Sequence, residues 1–352
     1  MVNMKSGNRI IGGMFGLPDP TTENFKPPQF ISKDSILLVN ARSGICMLTE
    51  LLAPRRVWIP SYLCPTIIDG VRNAGGCMEF YQVDYHLRIS SYDWIREVVA
   101  GDLVVLIDYF GWSCEKECID LIKKSGALIL EDACQAMFSE EVGRYSDFTL
   151  ISPRKYLGIP DGAVLTPKNG RCELSKIALS EPPKEWWMKA FAASLLRQEF
   201  DIHGESNRWY ELYQMMDATH PIGQYAMSQL SRFLLLSSFD YSSIIMQRVN
   251  NYRILASRLR NIAIFAELTE SVVPMGCPIR TKNRDEIRQA LFKEHIYPPI
   301  HWSIRGVVPE FFEDSHRLSN EIMTLPCDQR YGREDMEKIS ELILRTQSTQ
   351  HE

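Results

Sequence analysis

Apolar residues in the first half of the chain come in short, near-continuous runs separated by amphipathic stretches. Residues 36–40, 57–60, 78–83, 103–108, 127–131, 148–152 and 163–166 read as strands. Residues 43–52, 65–73 and 115–124 place apolar side chains at helical spacing and read as the helices between them. Strands that are apolar throughout, alternating with helices, predict a mainly parallel sheet covered on both faces. Pro160-Asp161-Gly162 has the residue chemistry of a tight turn between the last two strands. Beyond Pro167 the period becomes helical over 185–200, 209–216 and 244–262. It then returns to short elements: a strand at 271–274 and helices at 284–294 and 334–344. The expected organisation is an α/β large domain over residues 1–245 and a smaller α+β domain over 246–352.

Composition narrows the class. A chain of 352 residues has room for two or three domains and a large core. With 39 Lys+Arg against 44 Asp+Glu the net charge is −5, which disfavours a nucleic-acid partner. Hydrophobic residues at 45% and charged residues at 24% exclude global disorder. No apolar run approaches the roughly 18 residues of a membrane span, and the first residues lack the apolar core of a signal peptide. No membrane association is expected, and the expected location is cytoplasmic. Nine scattered cysteines, an odd number, agree with reduced thiols. Cys114 and Cys118 stand four apart, which is not the usual zinc spacing, and no metal site is expected. His203, His220 and His316 show no ligand arrangement. His301-Trp302 reads as aromatic packing at the domain junction, with lining of the substrate cleft as the alternative, and Trp186-Trp187 and 233–236 read as core or dimer surface.

Ligands of parallel sheets bind beyond the carboxyl ends of the strands. Those ends carry Asn40-Ala41-Arg42-Ser43-Gly44, Pro60-Ser61-Tyr62, Asp108-Tyr109-Phe110-Gly111-Trp112, Glu131-Asp132-Ala133-Cys134-Gln135 and Ser152-Pro153-Arg154-Lys155. No Ser/His/acid triad is visible among them. Gly12-Gly13-Met14-Phe15-Gly16 lacks the spacing of a dinucleotide fingerprint. Taken singly, Ser43 reads as a helix cap, Asp132 as an ion-pair partner and Lys155 as a solvated lysine. Taken together they fit a pyridinium cofactor, which needs an acid at its ring nitrogen, a lysine for its aldehyde and an anion site for its phosphate.

These segments resemble the DegT/DnrJ/EryC1/StrS sugar aminotransferases, fold-type I enzymes that use pyridoxal 5′-phosphate (PLP). The motifs are Asn40-Ala41-Arg42-Ser43-Gly44-Ile45, Ile59-Pro60-Ser61-Tyr62-Leu63-Cys64-Pro65, Glu131-Asp132-Ala133-Cys134-Gln135-Ala136, Ser152-Pro153-Arg154-Lys155 with Asp161-Gly162-Ala163-Val164, and Leu325-Pro326-Cys327-Asp328. The resemblance spans almost the whole chain. It implies that Lys155 binds PLP covalently and moves the proton, and that Asp132 meets the ring nitrogen. It also implies that Gln135 bonds the ring oxygen, that Arg42, Ser43 and Ser152 hold the phosphate, and that Tyr62 lies over the ring. The implied reaction moves an amino group from an amino acid such as glutamate to a nucleotide-linked keto-sugar, in a homodimer with shared sites.

Four departures stand out. Ser152 lies three residues before the lysine, where the family has five. Cys64 occupies the position of the ring-stacking aromatic. Pro221-Ile222-Gly223-Gln224-Tyr225-Ala226-Met227 lacks the asparagine that the family contributes across the dimer, and the glycine pair reads Gly162-Ala163. A different PLP-dependent sugar modification, or a non-catalytic regulatory or scaffold protein on the same fold, remain as alternative readings.

Overall fold

The computed structural model describes residues 9–19, 23, 25–168, 174–204 and 206–348. Its centre is a seven-stranded sheet of β2 (Ile36–Leu38), β3 (Val57–Pro60), β4 (Met78–Tyr81), β5 (Leu103–Ile107), β6 (Leu128–Asp132), β7 (Phe148–Ile151) and β8 (Ala163–Pro167). β1 (Ile11–Gly12) lies outside it. The strand order is β2-β8-β7-β6-β5-β3-β4. β8 runs against both β7 and β2, and all other neighbours are parallel. Parallel neighbours need crossovers: α2 (Pro65–Asn73) supplies the one from β3 to β4 and α3 (Lys116–Ser125) the one from β5 to β6. β5 and β7 are buried at every position, as expected of strands covered on both sides, whereas the edge strand β4 turns Glu79 to solvent. The architecture is the expected fold-type I α/β arrangement.

α1 (Ala41–Leu52) follows β2 and packs tightly on the sheet: a Cβ on Gly44 would come within 2.9 Å of Leu150. After β8 come α4 (Lys184–His203), α5 (Arg208–Ala218), α6 (Gln229–Ser237) and α7 (Tyr241–Arg258). The turn at Asp161 is tied to the start of α6. The buried carboxylate accepts from Ser228 N–H at 2.8 Å and from the Ser228 and Ser231 hydroxyls, each at 2.5 Å.

The C-terminal part holds β9 (Cys277–Arg280), α8 (Arg284–Lys293), β10 (Ile296–Tyr297), α9 (Glu313–Glu321), β11 (Ile322–Leu325) and α10 (Arg333–Ser348). β9 pairs antiparallel with β11, and a core of Tyr252, Leu255, Ile279, Leu291, Met336 and Ile339 forms around them. Ile11 joins that core because β1 pairs in parallel with β10. The strand expected at 271–274 is an irregular loop, and the strand begins instead at Cys277. Val272 and Val273 are buried as a strand would be, but their backbone bonds elsewhere. Val273 N–H donates to Ser139 Oγ at 3.1 Å, and Met275 N–H to the Phe110 carbonyl at 3.1 Å.

The N-terminal segment crosses both parts. The Gly16 carbonyl presses on Gly158, where a Cβ would lie 1.8 Å from it. Buried Arg197 donates to the Gly12 carbonyl at 3.2 Å, and Gly12 N–H donates to the Tyr331 hydroxyl at 2.7 Å.

Candidate active site at the strand ends

β3, β5, β6 and β7 are parallel, so their carboxyl ends open on one edge of the sheet. Asp132 is the last residue of β6, paired with Ile107 on one side and Leu150 on the other. Its carboxylate is 8% exposed, and Oδ1 accepts Cys134 N–H at 3.0 Å. Gln135 is 1% exposed. Its Oε1 accepts Phe110 N–H at 3.1 Å, which fixes the amide and leaves Nε2 buried without an acceptor. Lys155 closes a single 3₁₀ turn, Pro153–Lys155, whose backbone is held by Lys155 N–H donating to the Ser152 carbonyl at 3.1 Å. Among the described residues the Lys155 amine has no hydrogen bond or ion pair. It is close enough for its charge to act on the Cys134 thiol and the His301 ring.

The phosphate-binding residues inferred from sequence fall at the start of α1, with one correction. Ser43 is not the helix cap. Asn40 is: its side chain accepts Ser43 N–H at 2.8 Å, placing Ser43 inside the first turn. The Ser43 hydroxyl donates to the Pro221 carbonyl at 3.2 Å, which also takes Asn40 Nδ2 at 2.9 Å. The stretch without the expected asparagine is therefore folded against its own chain. Val39 N–H donates to the Tyr225 carbonyl and Met227 N–H to the Leu37 carbonyl.

Arg42 has a buried Nε with no hydrogen-bond partner and only a 3.8 Å approach to Asp69. Its charge and that of Arg154 both act on His220, whose Nε2 lies 3.3 Å from Arg154 and 3.2 Å from Asp217. Two guanidinium groups, Arg42 facing Asp69 and Arg154 in the network of Asp217, stand beside the helix N-terminus, whose dipole favours an anion. Ser152, 7% exposed, precedes the turn that carries Arg154 and Lys155.

Tyr62 is placed differently from the others. It is fully buried, with its ring centroid 5.7 Å from Trp302 and 6.1 Å from Tyr109. Its hydroxyl donates to the His301 carbonyl and accepts Trp302 N–H at 2.8 Å, so it holds the 301–302 segment in place.

Arg154 and His220 were not singled out for the site by the sequence, and His301 only as the alternative to packing at the domain junction. His301 bonds Thr324 Oγ1 through Nδ1 at 2.9 Å. Burial, with the Lys155 charge adding to it, lowers its pKa from 6.5 to about 3. Burial, opposed by Asp217, lowers that of His220 to about 4. Both rings are thus neutral at pH 7. Because the folded values lie below the unfolded one, the unfolded chain takes up protons first as pH falls. Stability should then decline below pH 6.5, by about 1.4 kcal/mol per pH unit for each ring. Ring-proton NMR should find two of the histidines without a midpoint above pH 5. Seven midpoints between 6 and 7 would contradict the burial of both.

No family model matches the sequence, and no curated protein matches it. Solved structures do. Spr1654 of Streptococcus pneumoniae, described as a sugar aminotransferase, superposes in its apo form with a TM-score of 0.68 at 15% identity, over 96% of this chain and 99% of that one. It is also solved in PLP and PMP forms. The aminotransferase TlmJ of Streptoalloteichus hindustanus gives 0.63 at 15% identity over 96% and 100%. DesI, solved with its TDP-sugar product, gives 0.64 at 16% identity over 89% and 80%. A solved DegT/DnrJ/EryC1/StrS aminotransferase of Brucella abortus is similar as well. The resemblance drawn from the motifs and the likeness of the structure meet on the same group: the chain has the fold of the sugar aminotransferases of the DegT/DnrJ/EryC1/StrS type.

Proposed function

We propose that the protein is a PLP-dependent aminotransferase, moving an amino group from an amino acid such as glutamate to a nucleotide-linked keto-sugar. The observation that carries this reading is the Gln135 amide. A fixed, buried NH2 without an acceptor, beside the strand-end Asp132 carboxylate and a lysine without a partner among the described residues, fits an occupant with an acceptor oxygen, a basic ring nitrogen and an aldehyde. The PLP and PMP forms of Spr1654 and the sugar product on DesI support it.

PLP, when bound, supplies an aldehyde that takes up and releases the amino group, and a ring that draws off the electron pair left by a departing proton. The protein's part is positioning and proton transfer. The Asp132 carboxylate would hold a proton on the ring nitrogen, where its negative charge favours the cationic ring. Gln135 Nε2 would donate to the ring oxygen. Arg42 and Arg154, with Ser152 and the N-terminus of α1, would neutralise the phosphate. Ser43 would have to give up its bond to Pro221 to join them. Lys155 Nζ is free of competing partners, so it can take the proton from the substrate carbon and return it one position away.

A homodimer is part of this proposal. Six of the ten exposed large apolar residues described, including Met188, Tyr210, Met215, Phe233 and Met246, lie on α4–α7. A cytoplasmic location is in keeping with the eight described cysteines, all free. The test is to load the purified protein with PLP and reduce it with borohydride. Digestion and mass spectrometry should find the pyridoxyl adduct on Lys155, and glutamate added before reduction should prevent it. A protein that takes up no PLP, or an adduct spread over surface lysines, would remove the proposal.

A further inference from the structure

A second site lies on the other face of the sheet. Side chains alternate along a strand, so Glu131 points away from the face that Asp132 uses. Glu131 and Asp108, one residue beyond the end of β5, line a cavity of about 350 Å³ between the sheet, α3 and the 269–272 segment. Asp108 is 1% exposed. Its Oδ1 accepts Cys114 N–H at 3.3 Å, and its Oδ2 is buried and meets no donor. Glu131, 8% exposed, spends Oε2 on Gly143 N–H at 2.8 Å and on the Ser146 hydroxyl at 2.6 Å.

The two carboxyl groups line the same cavity. Burial, and after it the Glu131 charge, holds the Asp108 carboxyl well above the usual carboxylate range. Two such groups need one positive charge between them, either a proton or a cation. Lys116 at the rim is engaged by Asp120 at 2.5 Å. A metal ion is a poor occupant, since no group of three or more metal-binding side chains occurs among the described residues. An ammonium suits the site better, with three donors for carboxyl and hydroxyl oxygens. The indole of Trp112 lines the same space. So do the hydroxyls of Ser113, Thr269 and Ser271, which have no hydrogen-bond partner among the described residues.

We infer that this cavity binds a small hydroxylated primary amine, with its ammonium seated between Asp108 and Glu131 and its hydroxyls facing the serine and threonine side chains. This does not rest on the aminotransferase reading. The full-length protein is titrated calorimetrically with glucosamine, using glucose and N-acetylglucosamine as uncharged controls. Glucosamine should bind saturably, and both controls at least tenfold more weakly. Asp108→Asn keeps the shape of the side chain and should weaken glucosamine at least tenfold. Glu131→Gln should do the same, with unchanged melting certifying the fold of whichever variant is read. Lys155→Ala should leave the affinity unchanged. Equal binding of N-acetylglucosamine, wild-type affinity in Asp108→Asn, loss in Lys155→Ala, or no saturable binding would each overturn the inference.

Discussion

Lys155→Ala should abolish borohydride-stable incorporation of PLP and lower transamination by about a thousandfold or more. The size follows from losing, in one side chain, the covalent attachment point and the group that carries the proton. The loss should not come from unfolding. The amine has no hydrogen bond or ion pair among the described residues, and the backbone bond that shapes its turn belongs to the main chain. The melting temperature should therefore stay close to that of the parent. Added methylamine should restore part of the rate, because a free amine can take over the proton transfer while Asp132 and Gln135 still hold the ring. A variant with parental turnover would remove Lys155 from the mechanism. A variant that melts far below the parent would instead mean that the lysine has a structural role its surroundings do not suggest.

The largest effect on stability is expected at Gly158. Its added Cβ would sit 1.8 Å from the Gly16 carbonyl oxygen and 3.0 Å from the Gly16 carbonyl carbon, and both are backbone atoms in a packed region. No rotamer relieves such a contact, so one of the two segments must move by more than an ångström. Overpacking of this kind costs about 3 kcal/mol or more. Gly158 follows the Lys155 turn by three residues, so the displacement should also loosen PLP binding. Gly332→Ala is the control, since a Cβ there has nothing within 4 Å, and it should stay within about 0.5 kcal/mol. Denaturant midpoints of the two variants decide the matter. Equal midpoints would show that the N-terminal segment can step aside without penalty.

How much of this was legible in advance depended on the distance over which each residue acts. β5 and β7 announced themselves because a strand covered on both faces is apolar throughout, and Asp132 stood out as an acid at the end of such a run. Gln135 and Lys155 were within reach because strand ends and turns are local features. β1 and β10 were not, since two-residue strands carry no periodicity, and the strand at 271–274 was misread because two buried valines in a loop look like a ladder. The cap of α1 was misassigned by three residues because asparagine and serine both suit that position. Arg154 meets His220 across 66 positions, and the Tyr62 hydroxyl meets Trp302 across 240. Only the fold makes those neighbours.

The pairing of β1 with β10 also bears on the order in which the molecule can be assembled as it is made. Ile11 is made 285 residues before its partner Ile296 (296 − 11 = 285). At roughly 5–20 residues per second the first strand waits tens of seconds with its edge unpaired. By then the central sheet has all its strands, whereas the C-terminal core that Ile11 completes does not yet exist. The first strand among the described residues is thus among the last to be placed, and a nascent chain stalled before residue 296 would leave it exposed.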